Sequence, residues 1–153
     1  MPLESIKKEI EKEIDATKCF VELAISAQKC GYTKAAKFFI TEAQEDCEHA
    51  FLYARELDKY SEELDDNRNI VEITKAFYEL EYSAIERISD MYKEAQKKDL
   101  RSIYPFISDM MSKHSEDCYR AKKLLQKISI LFSADSISDI ETLFEDEQSN
   151  DNT

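Results

Sequence analysis

The stretch EIDATKCFVELAISAQKCGYTKAAKFFITEAQEDCEHA, residues 13–50, contains the pattern that decides the fold. On both sides of Gly31, the only glycine of the chain, apolar residues recur at alternating steps of three and four. This spacing is typical of one apolar face of a helix. A glycine is also the residue type that best ends a helix in the left-handed conformation. The stretch therefore predicts two antiparallel helices joined by a short turn at Gly31.

The same periodicity continues along the rest of the chain. We predict four long helices, over residues of about 3–30, 33–59, 70–97 and 100–128. Thr33 is a suitable N-cap for the second helix, and the polar segment 61–69 has the composition of a loop. Pro105 predicts a kink or a late start in the fourth helix. The predicted fold class is all-α, an antiparallel up-down-up-down four-helix bundle over residues 1–132.

The last segment, residues 133–153, has a different composition from the bundle. It contains seven acidic residues and neither lysine nor arginine. Within it, SISDIETLF (136–144) predicts a short amphipathic helix that docks on the bundle or on a partner. The remaining EDEQSNDNT (145–153) has the composition of a disordered end.

Composition and charge exclude several classes of partner. The net charge is −12, which disfavours nucleic acid and anionic membranes. We see no apolar run near the roughly 20 residues of a transmembrane helix, and the first residues are too charged for a signal peptide. Four cysteines without a CxxC pair indicate reduced thiols. We therefore expect a cytoplasmic protein.

The predicted inward stripe of the first helix is Ile6, Ile10, Glu13, Thr17, Phe20 and Ala24, and that of the second is Phe39, Ala43, Asp46, Ala50, Tyr53 and Leu57. The predicted inward stripe of the third helix is Ile73, Phe77, Glu81, Ala84, Ile88, Met91 and Ala95. Each predicted helix has an acidic or histidine side chain on or beside its otherwise apolar stripe. These residues are Glu13 in the first helix, Asp46 and His49 in the second, Glu81 in the third and His114 in the fourth. An ionised carboxylate in a dry core costs several kcal/mol unless it is paired or binds a metal. Glu13 and Asp46 also lie at similar sequence distances from Gly31, so we expect them at a similar depth in the hairpin.

The motif Asp46-Cys47-Glu48-His49 has the spacing of a metal site on a helix. Residues i and i+3 share one face, so Asp46 and His49 can reach the same ion. Carboxylate oxygen and imidazole nitrogen suit iron, manganese or zinc. The alternative is a buried, hydrogen-bonded acid–histidine cluster. For Asp117, one turn after His114, a salt bridge is favoured over ligation, and for Tyr78 a core position is favoured.

At this point the sequence resembles the rubrerythrin branch of the ferritin-like superfamily, over residues of about 5–128. The resemblance is carried by the leading acid, the Gly-Tyr turn and the acid-x-x-His of residues 13–50. It continues in ELEY (79–82) and in SKHSEDCYRAKKLL (112–125). Three departures from the family's ligand positions stand out. Asp46 is one methylene shorter than the family's glutamate, Tyr78 stands where an additional glutamate of the third helix is expected, and Met111 replaces a bridging glutamate.

The resemblance implies a di-iron protein that reduces hydrogen peroxide or detoxifies oxygen. The iron ligands it implies are Glu13, Asp46, His49, Glu81 and His114. If the second half of the site is incomplete, a mononuclear iron, manganese or zinc site is expected. Because no CxxC pair is present for a rubredoxin-like domain, electrons would come from a separate donor such as a rubredoxin. The resemblance also makes a homodimer an expected assembly.

Two further functions are compatible with the sequence. Loss of the carboxylate at Met111 favours a degenerate bundle that binds metal or a protein partner without catalysis, with the acidic tail as its interaction element. Iron storage is a third hypothesis, and it would need a higher-order assembly.

Overall fold

The computed structural model describes residues 2–134 and 136–151, and within these ranges the chain is helical with no strand. Its α-helices are α1 (Pro2–Lys29), α2 (Thr33–Glu56), α3 (Ile70–Lys97), α4 (Tyr104–Ser133) and α5 (Ile137–Asp151). Short 3-10 segments follow α2 at Leu57–Glu63 and precede α4 at Arg101–Ile103. The predicted all-α class and the four long helices are therefore confirmed. The chain forms two compact units, residues 1–66 and 67–153.

The first unit is a hairpin of α1 and α2 whose helices pack through small side chains. Its buried residues include four alanines, namely Ala24, Ala36, Ala43 and Ala50. Alanine at the interface lets two helix backbones approach, and the hydroxyl of Thr17 lies 3.4 Å from the carbonyl oxygen of Ala43. The rings of Phe20 and Phe39 stack with centroids 6.3 Å apart. These contacts place the predicted stripes of both helices inside the hairpin.

Both hairpin turns use the same C-terminal cap. At the end of α1, Gly31 has a φ of 87°, and the N–H of Tyr32 donates to the carbonyl of Ala27 at 2.9 Å. At the end of α3, Asp99 has a φ of 51°, and the N–H of Leu100 donates to the carbonyl of Ala95 at 2.9 Å. This is the Schellman arrangement, which satisfies carbonyl groups left over at a helix end.

We expect substitutions at the two positive-φ positions, Gly31 and Asp99, to change the stability of the protein in opposite directions. Gly31→Ala should lower the free energy of unfolding by about 1–2 kcal/mol, because alanine is strained at positive φ. A Cβ atom at Gly31 would meet no other atom within 4 Å, so backbone strain is the whole effect. Asp99→Gly should instead stabilise the chain, since glycine removes the strain at the equivalent position. Urea unfolding followed by circular dichroism measures both. Destabilisation by Asp99→Gly would contradict this account.

The second unit combines the α3–α4 hairpin with α5. Near the turn, a core cluster is formed by Ile88, Ala95 and Ile107. A second cluster joins α4 to α5 through Leu124, Ile128 and Ile140, with Leu143 and Phe144 packed beside it. The C-terminal helix is therefore docked on α4 by apolar contacts.

The structure corrects several predicted boundaries. The second helix ends at Glu56, and Thr33 is its first residue, preceded by Tyr32, which makes no side-chain cap. Thr33 is therefore not the N-cap that the sequence predicts for α2. α3 does have a side-chain N-cap, because Asn69 accepts a hydrogen bond from the N–H of Glu72. The fourth helix starts late, as Pro105 predicted, but it continues to Ser133.

The tail is the largest correction. The predicted helix 136–144 is longer, because α5 continues to Asp151, and residues 145–151 are helical where disorder was expected. The physical reason is that docking of Ile140 orders the segment and Glu147 is held by Arg120 on α4. Residues 152–153 lie outside the described residues.

The inward stripe of α3 also differs from the prediction near the start of that helix. Ile73 and Phe77 are exposed, whereas the neighbouring Thr74 is buried and donates to the carbonyl of Ile70 at 2.7 Å. The α4–α5 cluster contacts Ile70 and Val71, so the buried face is rotated toward α5. Met91, also predicted inward, is exposed as well. Among the described helices, none is long and apolar enough to cross a membrane.

Candidate metal centre

The first unit brings three of the predicted ligands together. Glu13 reaches from α1 to the Asp46–His49 pair on α2, and one donor atom from each residue lies within 4.8 Å of the others. Nδ1 of His49 lies 3.6 Å from Oε2 of Glu13 and 3.7 Å from Oδ1 of Asp46. The Asp46–His49 spacing of three residues puts both side chains on one face, as the sequence predicted.

These distances suit an ion better than a direct hydrogen bond. N–H···O hydrogen bonds span about 2.7–3.2 Å, and both histidine contacts exceed that range. Two ligands that each lie about 2.0–2.2 Å from one metal are themselves about 3.0–3.6 Å apart at ordinary coordination angles. The two contacts of His49 are therefore close to the spacing of two ligands on one ion, and Glu13, Asp46 and His49 are candidate ligands. Neither contact of His49 has the length of the hydrogen bond that the alternative prediction, an acid–histidine cluster, requires.

Charge and burial in the first cluster also favour a cation. Glu13 and Asp46 have side chains only 20% and 17% exposed, and His49 is 52% exposed. Among the described residues, neither carboxylate pairs with a lysine or arginine within 4.0 Å. Two half-buried carboxylates then share a single histidine as partner, and a bound cation would offset their mutual repulsion.

The second unit contains a matching cluster of Glu81, His114 and Asp117. Nδ1 of His114 lies 3.3 Å from Oε2 of Glu81, and donor atoms of all three residues lie within 4.8 Å of one another. Asp117, for which the sequence favours a salt bridge, forms one with Arg120 at 3.7 Å and also joins this group. The signal was available, because His114-x-x-Asp117 is the reverse of Asp46-x-x-His49 and has the same helical spacing.

Met111 does not lie with the second cluster. It packs against Ile88, Ala95 and Ile107 in the core near the turn. The position three residues before His114 therefore has apolar neighbours, whereas the position three residues after it supplies a carboxylate. In this chain Asp117, on the opposite side of His114, offers the second oxygen donor beside that of Glu81.

The remaining sequence candidates lie beside the clusters without joining them. Cys118 is buried and Cys47 is half-buried, and all four cysteines are free thiols. Neither belongs to a metal-ligating group among the described residues. Tyr78 contacts the ring of Tyr82 with centroids 6.2 Å apart, which fits the predicted packing role.

Each cluster borders an open cavity. The first cavity has a volume of about 570 Å³ and is lined by Glu13, His49, Tyr53 and Glu56 among others. The second has a volume of about 670 Å³ and is lined by Glu81, Asp117, Arg120 and residues of α5. A small solute can therefore reach donor atoms of both clusters from solvent.

Comparison with known proteins gives a structural similarity only. No protein-family model matches the chain, and no curated protein matches it. An open-pore ferritin from the archaeon Archaeoglobus fulgidus has a TM-score of 0.48 with 17% identity, over 94% of each chain. An engineered closed form of the Archaeoglobus fulgidus ferritin gives the same TM-score and identity over 94% of this chain and 93% of that chain. A humanized archaeal ferritin gives 0.44 and 17%, over 96% and 93%.

Proposed function

We propose that this chain is a non-haem iron protein that binds iron at two carboxylate–histidine clusters and works as a rubrerythrin-like oxidoreductase. The observation that carries the proposal is the convergence of Glu13, Asp46 and His49 from two helices at ligand-like distances. The second cluster, Glu81, His114 and Asp117, repeats the same donor chemistry. Mixed oxygen and nitrogen donors suit iron, and they also suit manganese or zinc in a mononuclear site.

The proposed reaction is reduction of hydrogen peroxide or oxygen. Peroxide takes up two electrons and two protons and leaves as two water molecules. Iron, when bound, supplies the redox chemistry, and the side chains hold the ion and set its surroundings. The open cavity beside His49 has room for a substrate as small as peroxide. Asp46 and Glu13 would hold the ion by their charge.

The proposed partners follow from this reaction. Electrons would come from a separate donor protein such as a rubredoxin, and the protein would work in the cytoplasm, where thiols such as the four free cysteines stay reduced. A homodimer is the proposed assembly. These assignments rest on the resemblance to rubrerythrins and on the donor chemistry of the clusters.

Metal loading tests the proposed function directly. Protein purified without oxygen and loaded with Fe²⁺ should hold close to one iron at each cluster, measured by elemental analysis. Its visible absorption should be bleached by a reductant and restored by peroxide. Bound ion at 100 times its dissociation constant should raise the free energy of unfolding by about 2.7 kcal/mol. The thermal midpoint, measured with and without Fe²⁺, reports that shift.

Different outcomes separate the competing functions. A helical protein that takes up no iron, manganese or zinc would overturn the proposal and favour a protein-interaction module without catalysis. Tight binding of one ion per chain would favour a mononuclear site. Iron binding without any response of the spectrum to peroxide would exclude the peroxidase activity and retain metal binding.

A further inference from the structure

Arg120 lies on α4 between the second metal cluster and the C-terminal helix. Its Nε and Nη2 donate to Oε2 of Glu147 on α5 at 2.9 and 2.8 Å. Nη2 also lies 3.4 Å from the backbone carbonyl oxygen of Glu147. Nη1 also lies 3.7 Å from Oδ1 of Asp117, which is the distance of a long ion pair and not of a hydrogen bond. The guanidinium group therefore donates hydrogen bonds to α5 and forms only a longer ion pair with the cluster.

This arrangement matters because a guanidinium group and a metal ion compete for the same carboxylate. Arginine stays protonated at any physiological pH, and it binds carboxylates through several donors at once. If the guanidinium group of Arg120 turned fully to Asp117, it would occupy the carboxylate oxygen atoms that a cation needs. It would also place a positive charge beside the cation and repel it. The carboxylate of Glu147 offsets the charge of Arg120 and holds its guanidinium group on the side that faces α5.

The docking of α5 does not depend on this ion pair alone. Ile140 is 5% exposed and packs with Leu124 and Ile128 of α4. Leu143 and Phe144 add apolar contacts beside them. Replacement of Glu147 by a neutral residue should therefore leave the helix in place while it removes the charged hydrogen bonds from Arg120 to Oε2 of Glu147.

We propose that Arg120 and Glu147 are positioning residues through which α5 sets the cation affinity of the cluster formed by Glu81, His114 and Asp117. This inference rests on the proposed metal binding and extends it to the regulation of one cluster. With Glu147 present, Arg120 stays at the longer ion-pair distance from Asp117, and the cluster binds a divalent cation. Without Glu147, the guanidinium group moves closer, donates hydrogen bonds to Asp117 and lowers the affinity of the cluster for the cation. In the part of the chain that the structure describes, the cluster of Glu13, Asp46 and His49 has no arginine within 4.0 Å, and its cation affinity should not respond to the change at position 147.

A Co²⁺ titration of the full chain tests the proposal. All variants are made in an Asp46→Asn parent protein, in which the first cluster is disabled, so that the titration observes binding at the second cluster. The visible absorption of Co²⁺ reports the geometry of its ligands. Glu147→Gln should weaken binding about tenfold, which corresponds to about 1.4 kcal/mol. The matched control is Glu145→Gln, which removes the same charge from the same helix and cavity. Glu145 is exposed and has no ion pair within 4.0 Å among the described residues. Its replacement should therefore change the Co²⁺ affinity at most about threefold.

Removal of the arginine distinguishes this pair from a general charge effect. The double variant Arg120→Gln/Glu147→Gln should restore the affinity and the Co²⁺ spectrum of the parent, because the competing guanidinium group is gone. Arg120→Gln alone should bind Co²⁺ at least as tightly as the parent. Far-UV circular dichroism verifies that the helices are retained in each variant.

Several results would overturn the inference. If Glu147→Gln and Glu145→Gln weakened Co²⁺ binding equally, the cause would be the loss of negative charge near the cluster, and the Arg120–Glu147 ion pair would have no specific role. Weaker binding in Arg120→Gln, or no restoration in the double variant, would contradict the competition. Absence of Co²⁺ at the second cluster, with binding retained at the first, would exclude this inference but keep a mononuclear form of the proposed function. No binding at either cluster of the unmodified chain would overturn both.

Discussion

Asp46→Asn is expected to weaken metal binding at the first cluster at least 100-fold and to leave the metal-free protein as stable as the original or more stable. The amide keeps the size of the carboxylate but loses the charge and one good oxygen donor, so about 2.7 kcal/mol of binding free energy is lost. In the metal-free protein the same change relieves repulsion with Glu13, whose carboxylate lies in the same cluster. Calorimetric titration with Fe²⁺ under argon and urea unfolding of the apoprotein measure the two effects.

The combination of weaker metal binding with an equally or more stable apoprotein distinguishes a metal site from a cluster that serves only the fold. If Asp46 served only to satisfy His49, the amide would leave a weaker partner and the apoprotein would lose stability. Glu48→Gln is the matched control, because Glu48 is exposed on the same helix and loses the same charge. That control should bind metal like the unmodified chain. A destabilised Asp46→Asn apoprotein with unchanged metal affinity would contradict the proposed role.

Ile128→Ala should destabilise the protein by about 2–5 kcal/mol, the largest stability effect we expect from a single substitution. Ile128 is 0% exposed and lies in the cluster that joins α4 to α5. Truncation removes apolar burial and leaves a cavity between Leu124 and Ile140. The change in the free energy of unfolding is measured by urea titration, with the helical signal as readout.

The neighbouring Ile130 provides the control for this prediction. It lies on the same helix, but it is 72% exposed, so Ile130→Ala should change stability by no more than about 0.5 kcal/mol. Ile140→Ala should follow Ile128→Ala in direction, because the two side chains share one cluster. Similar stabilities for the Ile128 and Ile130 variants would show that α5 is not docked on α4 as described.

Much of the first unit could be predicted from sequence because its information is local. The periodicity of residues 13–50 defines two helix faces, and Gly31 marks the turn between them. Once the turn position is known, the 1.5 Å rise of a helix fixes which residues lie opposite each other. Glu13 could therefore be matched with Asp46 and His49 without coordinates.

The second unit was predicted less completely because its decisive contacts are not local. Whether Ile73 or Thr74 faces inward depends on α5, which lies about 65 residues further along the chain. The sequence predicts docking of the helix 136–144, but it predicts disorder for residues 145–153, because their composition gives no sign of the ion pair between Arg120 and Glu147. Helix periodicity identifies an apolar face but not the partner that will cover it.

The sequence by itself determined the all-α class, the four long helices, the two hairpin turns and the candidate ligands Glu13, Asp46, His49, Glu81 and His114. These follow from side-chain spacing on a regular helix, which is a property of neighbouring residues. Only the tertiary structure decided that Asp117 joins Glu81 and His114, that Met111 packs in the core, and that Arg120 is held by Glu147. Those outcomes depend on the rotation of one helix against another and on the docking of a distant segment, and both are set by packing across the fold.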